Sequence, residues 1–132
     1  MIRRVGSGAP WEGIVGYSRA VAAGDHVHVS GCAPVDPADG RVVHEGDAYA
    51  QTRQCLANVL RALERFGCSA ADVVRTRIYV TDIARWREYG RAHGEVFGEV
   101  RPATTMVEVA GLIDPAMLVE IEADAYRAGV GR

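Results

Sequence analysis

Two stretches near the C-terminus constrain the fold most. Arg101-Pro102-Ala103-Thr104-Thr105-Met106-Val107-Glu108-Val109-Ala110-Gly111-Leu112 and Leu118-Val119-Glu120-Ile121-Glu122-Ala123 both show the two-residue period of a pleated strand. In the first, Thr105, Val107 and Val109 point one way and Thr104, Met106 and Glu108 the other. In the second, Val119, Ile121, Ala123 and Ala125 share a face, opposite Leu118, Glu120, Glu122 and Asp124. An all-apolar strand face must be covered. The carboxylates behind it are then either solvated edge charges or groups held in a cleft for use. Glu120, flanked by Leu118, Val119 and Ile121 in a strand expected to be central, is the foremost candidate for such use.

Upstream, Ile14 to Val21 and His26 to Ser30 read as a hairpin around Ala22-Ala23-Gly24-Asp25, where glycine supplies the freedom a tight turn needs. Pro34 to Gly40 is punctuated by Pro37 and a Pro-Ala-Asp-Gly turn. From Asp47 the period becomes helical, with Thr52, Leu56, Val59, Leu60, Leu63 and Phe66 on one face and Gly67 as the stop. Ser69-Ala70-Ala71-Asp72 resembles a capping box. Val73 to Thr81 alternates as a strand, with Val74, Thr76, Ile78 and Val80 opposite Arg75, Arg77 and Tyr79. Asp82 then caps a helix whose Trp86, Tyr89, His93 and Phe97 recur at spacings of three and four.

The resulting order, ββαβαββ, predicts an α+β fold: one mixed sheet with both helices on one face. At 132 residues the chain is long enough for one core and short for two, so residues 1–132 are expected to form a single domain. The uncovered face is expected to carry Tyr17, Met106 and Leu118. Apolar surface costs about 25 cal/mol per Å² to expose, which predicts self-association.

A formal net charge of -2 and the lack of a basic run argue against nucleic acid as a partner. Met1 to Gly8 has no apolar signal core and no stretch reaches the length of a membrane span, so a cytoplasmic protein without a membrane partner is expected. The three cysteines, Cys32, Cys55 and Cys68, are odd in number and not spaced for a metal; reduced thiols are expected, with Cys55 as packing. His26 and His28 share a strand face but have no third ligand, so no metal is expected, nor any cofactor. No phosphate loop, nucleophile elbow or Cys-x-x-Cys is present.

Pro102-Ala103-x-Thr105-x-Val107-Glu108-Val109-Ala110 and Val119-Glu120-Ile121-Glu122-Ala123 resemble the C-terminal signature of the Rid family (YjgF/YER057c/UK114). The likeness continues through Gly16-Tyr17-Ser18, Val29-Ser30-Gly31-Cys32-Ala33-Pro34, Gln51-Thr52-Arg53-Gln54-x-Leu56-x-Asn58-Val59 and Tyr79-Val80-Thr81-Asp82. It implies a chorismate-mutase-like fold assembled as a homotrimeric barrel, with a cleft at each subunit junction. It also implies cofactor-free hydrolysis of a small-molecule imine or enamine, releasing ammonia. Glu120 would then activate or position water, Tyr17 would close over the ligand, and Ser30, Gly31, Cys32, Thr105 and Met106 would line the wall.

Thr104 departs from this pattern. In the imine-hydrolysing subgroup the residue after Pro-Ala is an arginine that clamps the substrate carboxylate. Each charge-assisted hydrogen bond of such a clamp contributes roughly 1.5–3 kcal/mol, and threonine offers one neutral hydroxyl. Turnover of 2-aminoacrylate is therefore expected to be weak. His93 stands where typical hydrolases carry an aromatic residue, so it is either a hydrogen-bonded core group or a proton carrier reaching the cleft. Two readings stay open: a deaminating hydrolase, and a trimer that binds a metabolite without turnover as a sensor or carrier. RNA cleavage, attached to some relatives of this kind, has little support in the acidic balance.

Overall fold

Six strands in the order β1-β2-β3-β6-β4-β5 form one mixed sheet. The computed structural model describes residues 1–131. The elements are β1 (Ile2–Val5), β2 (Ala20–Ala23), β3 (His26–Cys32), α1 (Ala48–Glu64), β4 (Val73–Val80), α2 (Trp86–Phe97), β5 (Ala103–Glu108) and β6 (Val119–Tyr126). Every pairing is antiparallel except β4 with β5. Among the described residues no helix is long and apolar enough to cross a membrane.

The C-terminal alternation sets the layers. Val119, Ile121, Ala123 and Ala125 of β6 are at most 1% exposed, and they share the core with Cys55, Leu56, Val59 and Leu63 of α1. Asp47 opens α1 by accepting a hydrogen bond from the Ala50 amide at 2.9 Å. Gln51, fully buried, donates to the carbonyls of Val43 and Ala116 and accepts from the Leu118 amide. One side chain thus pins the start of β6 to α1, two residues before Glu120. Asn58, further along α1, ties down the chain after β3 by donating to Ala33 and Val35.

The strand expected over Ile14 to Val21 is a shorter element. Glu12–Gly16 forms one wide helical turn, closed by the Tyr17 amide on the Glu12 carbonyl, and only Ala20–Ala23 pairs as β2. Gly16 takes φ +88°, which interrupts a strand. β2 also pairs with β1, a strand the sequence pattern did not reveal. In β4 a bulge between Val73 and Arg75 turns Val73 inward and leaves Val74 48% exposed, although Val74 was expected beside Thr76, Ile78 and Val80. Asp82 caps a short turn, Ile83–Arg85, that leads into α2.

The uncovered face is not the apolar surface expected. Arg77 lies 3.4 Å from Glu122 and 3.1 Å from Asp124, Tyr79 donates to Glu122 at 2.9 Å, and His28 meets Asp124 at 2.8 Å. Met106 pairs with Ile78 and packs against the core on the helix side, and Leu118 is partly buried against the core. Tyr17 lies before β2, outside the strands. The exposed apolar groups here include Val107, Tyr126 and Ile2, the last in the cross-strand row of Ala23, His26 and Tyr126. Burial of a greasy sheet face therefore does not by itself require self-association; any assembly through this surface must match charges.

Candidate functional site

Glu120 faces a recess of about 1160 Å³ whose lining includes Tyr17, Arg19, Ser30, Gly31 and Cys32. β6 is central, so its outward side chains are walled in by β3 and β4 and Glu120 is only half exposed. Gly31 makes the room. A Cβ built there would fall 2.4 Å from Glu120 Oε2, closer than non-bonded atoms approach. The register of β3 on β6 also shifts between Val29 and Cys32, the local bulge that presents Gly31 to the carboxylate.

No hydrogen bond to the Glu120 carboxylate comes from the described residues, which leaves its oxygens free for water or ligand. Burial raises its pKa above the ordinary carboxylate value; the Arg19 guanidinium works against that shift and Glu122 adds to it. The result is a carboxyl group that holds and releases a proton nearer neutrality.

Arg19, which the sequence reading did not single out, organises this recess. Its Nη1 donates to the carbonyls of Gly31 at 2.6 Å and Ser30 at 3.2 Å, and lies 3.5 Å from Cys32 Sγ. Its Nη2 donates to the Tyr17 hydroxyl at 3.3 Å, and its Nε lies 3.9 Å from Glu12. A signal existed: Arg19 follows Tyr17-Ser18 at the entry to β2, and the Ser30 amide bonds to the Arg19 carbonyl across the hairpin. Because the Tyr17 oxygen accepts from Arg19, its own proton remains available to a ligand.

The other expected wall residues divide. The Ser30 hydroxyl is committed to the Ser18 carbonyl at 2.7 Å, a staple across the hairpin. Cys32 is buried, and that burial, ahead of the opposing Arg19, pushes its thiol pKa up, so it is not a ready nucleophile. Thr105 pairs with Arg77 on the same face as Glu120. Thr104 and Met106 pair with Thr76 and Ile78, on the opposite, helix-covered side. Thr105 and Met106 thus do not line one wall within a chain, because successive side chains of β5 point to opposite faces.

On that second side a compact polar group appears. Thr76, completely buried, lies 2.8 Å from His93 Nε2 and 2.8 Å from Thr104 Oγ1. His93 packs against Phe97, and burial lowers its pKa, favouring the neutral ring. The sequence left His93 open between core group and proton carrier; here it is hydrogen-bonded through Thr76 to an exposed strand residue. His26 and His28 stack on the uncovered face, His26 against Tyr126. Among the described residues no three His, Cys, Asp or Glu side chains are grouped to hold a metal ion.

Comparisons with known proteins agree with this architecture. The profile of the family described as Endoribonuclease L-PSP matches residues 8–127. A solved structure from Mycobacterium tuberculosis, described as a member of the highly conserved YjgF/YER057c/UK114 family, is 51% identical and superposes with a TM-score of 0.86, covering 96% of this chain and 100% of its own. A protein of Acinetobacter baylyi named 3-aminoacrylate deaminase RutC is 39% identical over 83% of this chain and 86% of its own length. A RutC family protein of Pyrococcus horikoshii is 40% identical over 84% of this chain and 86% of its own.

Proposed function

The chain belongs to the Endoribonuclease L-PSP (YjgF/YER057c/UK114) family, and from that premise we propose that it is a cofactor-free deaminating hydrolase of a small, reactive imine or enamine. The observation that carries the proposal is Glu120: a half-buried carboxylate of raised pKa, seated on Gly31, with its oxygens open to the recess. The relative named as a deaminase supports the same reaction class.

An imine carbon is already electrophilic, so the protein must supply an oriented water and a place for protons. With the imine protonated, Glu120 takes a proton from the water as its oxygen bonds to that carbon, and the carbon–nitrogen π pair moves to nitrogen to give a neutral carbinolamine. Glu120 delivers that proton to the nitrogen, then takes the hydroxyl proton as the carbon–nitrogen bond breaks and the carbonyl forms; passing this proton to the departing ammonia gives ammonium and restores the carboxylate. Tyr17, held by Arg19, donates its phenolic hydrogen bond to the substrate. Release of ammonia from imines generated in situ tests this, with Glu120→Gln expected to lower the rate at least a hundredfold. A Glu120→Gln enzyme as fast as the natural one refutes it.

The reading includes a single-domain, cytoplasmic homotrimer. β5 is an edge strand, so the neighbouring copy can bring its Thr104 side against the Glu120 recess of the first. That would unite two residue groups that one chain keeps on opposite faces. Light scattering at three times the chain mass is the expected result. Thr104 also favours a second reading, a trimer that binds a metabolite without turnover. Saturable binding of a carbonyl product analogue with no ammonia release from any imine would select it.

A further inference from the structure

Arg19 stands between two carboxylates, Glu12 and Glu120. Its charge is felt at Glu120, yet its hydrogen bonds all go elsewhere, to Gly31, Ser30, Cys32 and Tyr17. Left to itself, a guanidinium beside a half-buried carboxylate closes on it as a charge-assisted pair. Such a pair would cover the oxygens that the proposed hydrolysis needs open.

The restraint comes from residue 12. Glu12, on the wide turn before β2, lies 3.9 Å from Arg19 Nε, and the two side chains are only 12% and 15% exposed. The Glu12 carboxylate is itself fixed: it accepts from the Ser7 amide at 3.0 and 3.2 Å and from the Ser7 hydroxyl. Gly6 leaves room for it, since a Cβ there would fall 2.9 Å from Glu12 Oε1. From this arrangement we infer that Glu12 is a positioning residue: its charge keeps Arg19 turned to the hairpin carbonyls and off Glu120, so that the base stays unpaired. The inference deepens the hydrolase reading and rests on it for its catalytic meaning.

Donor counting shows why the neutral acceptors do not suffice. A guanidinium has five N–H groups. Nη1 spends its two on the carbonyls of Gly31 and Ser30, and Nη2 spends one on the Tyr17 hydroxyl. One hydrogen on Nη2 and the one on Nε remain, and the Nε edge faces Glu12 across a gap that charge spans and a hydrogen bond does not. In a partly buried site opposite charges attract more strongly than in water. With a neutral residue at position 12, the carboxylate left in the field of Arg19 is Glu120.

The other groups around Glu120 do not supply this restraint. Glu122, on the same face of β6, is an anion, and Tyr79 of β4, opposite Glu120 in register, donates to Glu122. Cys32 of β3 and Cys55 of α1 are buried thiols whose raised pKa keeps them neutral. Arg77 is engaged by Glu122 and Asp124. Arg61 and Arg65 of α1 line the same recess, but among the described cations it is Arg19 that acts on the titration of Glu120.

The test is that titration in the full-length protein, followed by carbon-detected NMR, beside kcat for ammonia release. Glu12→Gln keeps an oxygen for the Ser7 hydrogen bonds and removes the charge. It should lower the Glu120 pKa, as a newly formed ion pair does, and cut kcat at least tenfold, a share of the ~10²–10⁴-fold that a general base supplies. In an Arg19→Gln background the same change should leave the Glu120 pKa where Arg19→Gln alone puts it, because the effect runs through Arg19. A Glu120 pKa untouched by Glu12→Gln, or a kcat within about twofold of the natural one, overturns the inference and leaves residue 12 a clasp of the turn. An equal fall in both backgrounds also overturns it, by assigning the effect to the Glu12 charge acting directly. Failure of the hydrolase reading shows separately, as Glu120→Gln releasing ammonia at the natural rate while the titration of the natural protein still responds to residue 12.

Discussion

Gly31→Ala is the sharpest perturbation of the site. The new methyl carbon would stand 2.4 Å from Glu120 Oε2, 2.9 Å from Cδ and 3.2 Å from Cγ. Carbon contacts settle near 3.5–4.0 Å, so the carboxylate must retreat by about 1 Å. The backbone tolerates alanine here, since Gly31 is not among the glycines with positive φ. What yields is the end of a flexible side chain facing a recess, so the stability loss should stay under about 1 kcal/mol, below the usual 1–3 kcal/mol of overpacking a closed core. Catalysis is less forgiving, because a 1 Å displacement of a reacting group costs about a hundredfold.

The expected outcome is thus a drop of about two orders of magnitude in kcat for ammonia release, with the denaturant midpoint nearly unchanged. If Gly31 acts only by placing Glu120, the double variant with Glu120→Gln should be no slower than Glu120→Gln alone. A Gly31→Ala enzyme within twofold of the natural rate would refute the claim that this contact sets the geometry of the base. Additive losses in the double variant would assign Gly31 an independent role.

Thr104→Arg should raise the rate on 2-aminoacrylate, made in situ by a dehydratase, by tenfold or more; an unaltered protein that already matches an arginine-bearing relative would contradict the role given to Thr104. Because burial raises the Glu120 pKa in the folded chain, the protonated form is favoured there, and its contribution to stability is present at low pH and lost as pH rises through the folded pKa. Glu120→Gln should accordingly raise the melting temperature at pH 7 to 8 and make no difference near pH 4, as measured by calorimetry. Arg19→Gln removes the cation that opposes this shift, so a carbon-detected NMR titration should find the Glu120 pKa higher still. Gln51→Leu strands the Leu118 amide and two carbonyls, and urea denaturation should show a loss of about 2–4 kcal/mol.

Much of the site was legible in advance because its cues are local. The alternation around Glu120 correctly separated the buried Val119, Ile121 and Ala123 from the outward carboxylates, and the spacing of Leu56, Val59 and Leu63 identified the helix that covers them. Gly31 stood out as a point of close approach, and the contact it makes is with Glu120 itself. Arg19 escaped notice because its importance lies in bonds to Gly31 and Tyr17 that depend on hairpin register. The supposed apolar face failed for a related reason: Met106 looks outward by count, but the pairing of β5 with β4 sets it beside Ile78 against the core, and Leu118 is partly buried against the core as well.

What the amino-acid order determined by itself was periodicity: which segments are strands or helices, which side chains share a face, and that a carboxylate backs an apolar strand. Those properties depend on neighbours one to four residues apart, where backbone geometry dictates side-chain direction. Only the tertiary structure decided that Glu120 meets Gly31, that Arg19 braces both walls of the recess, and that Thr104 connects through Thr76 to His93. The contacts of Glu120 with Gly31, Arg19 with Gly31, and Thr76 with His93 and Thr104 join residues 12 to 89 positions apart, and they depend on strand register and helix docking, quantities that no local repeat encodes.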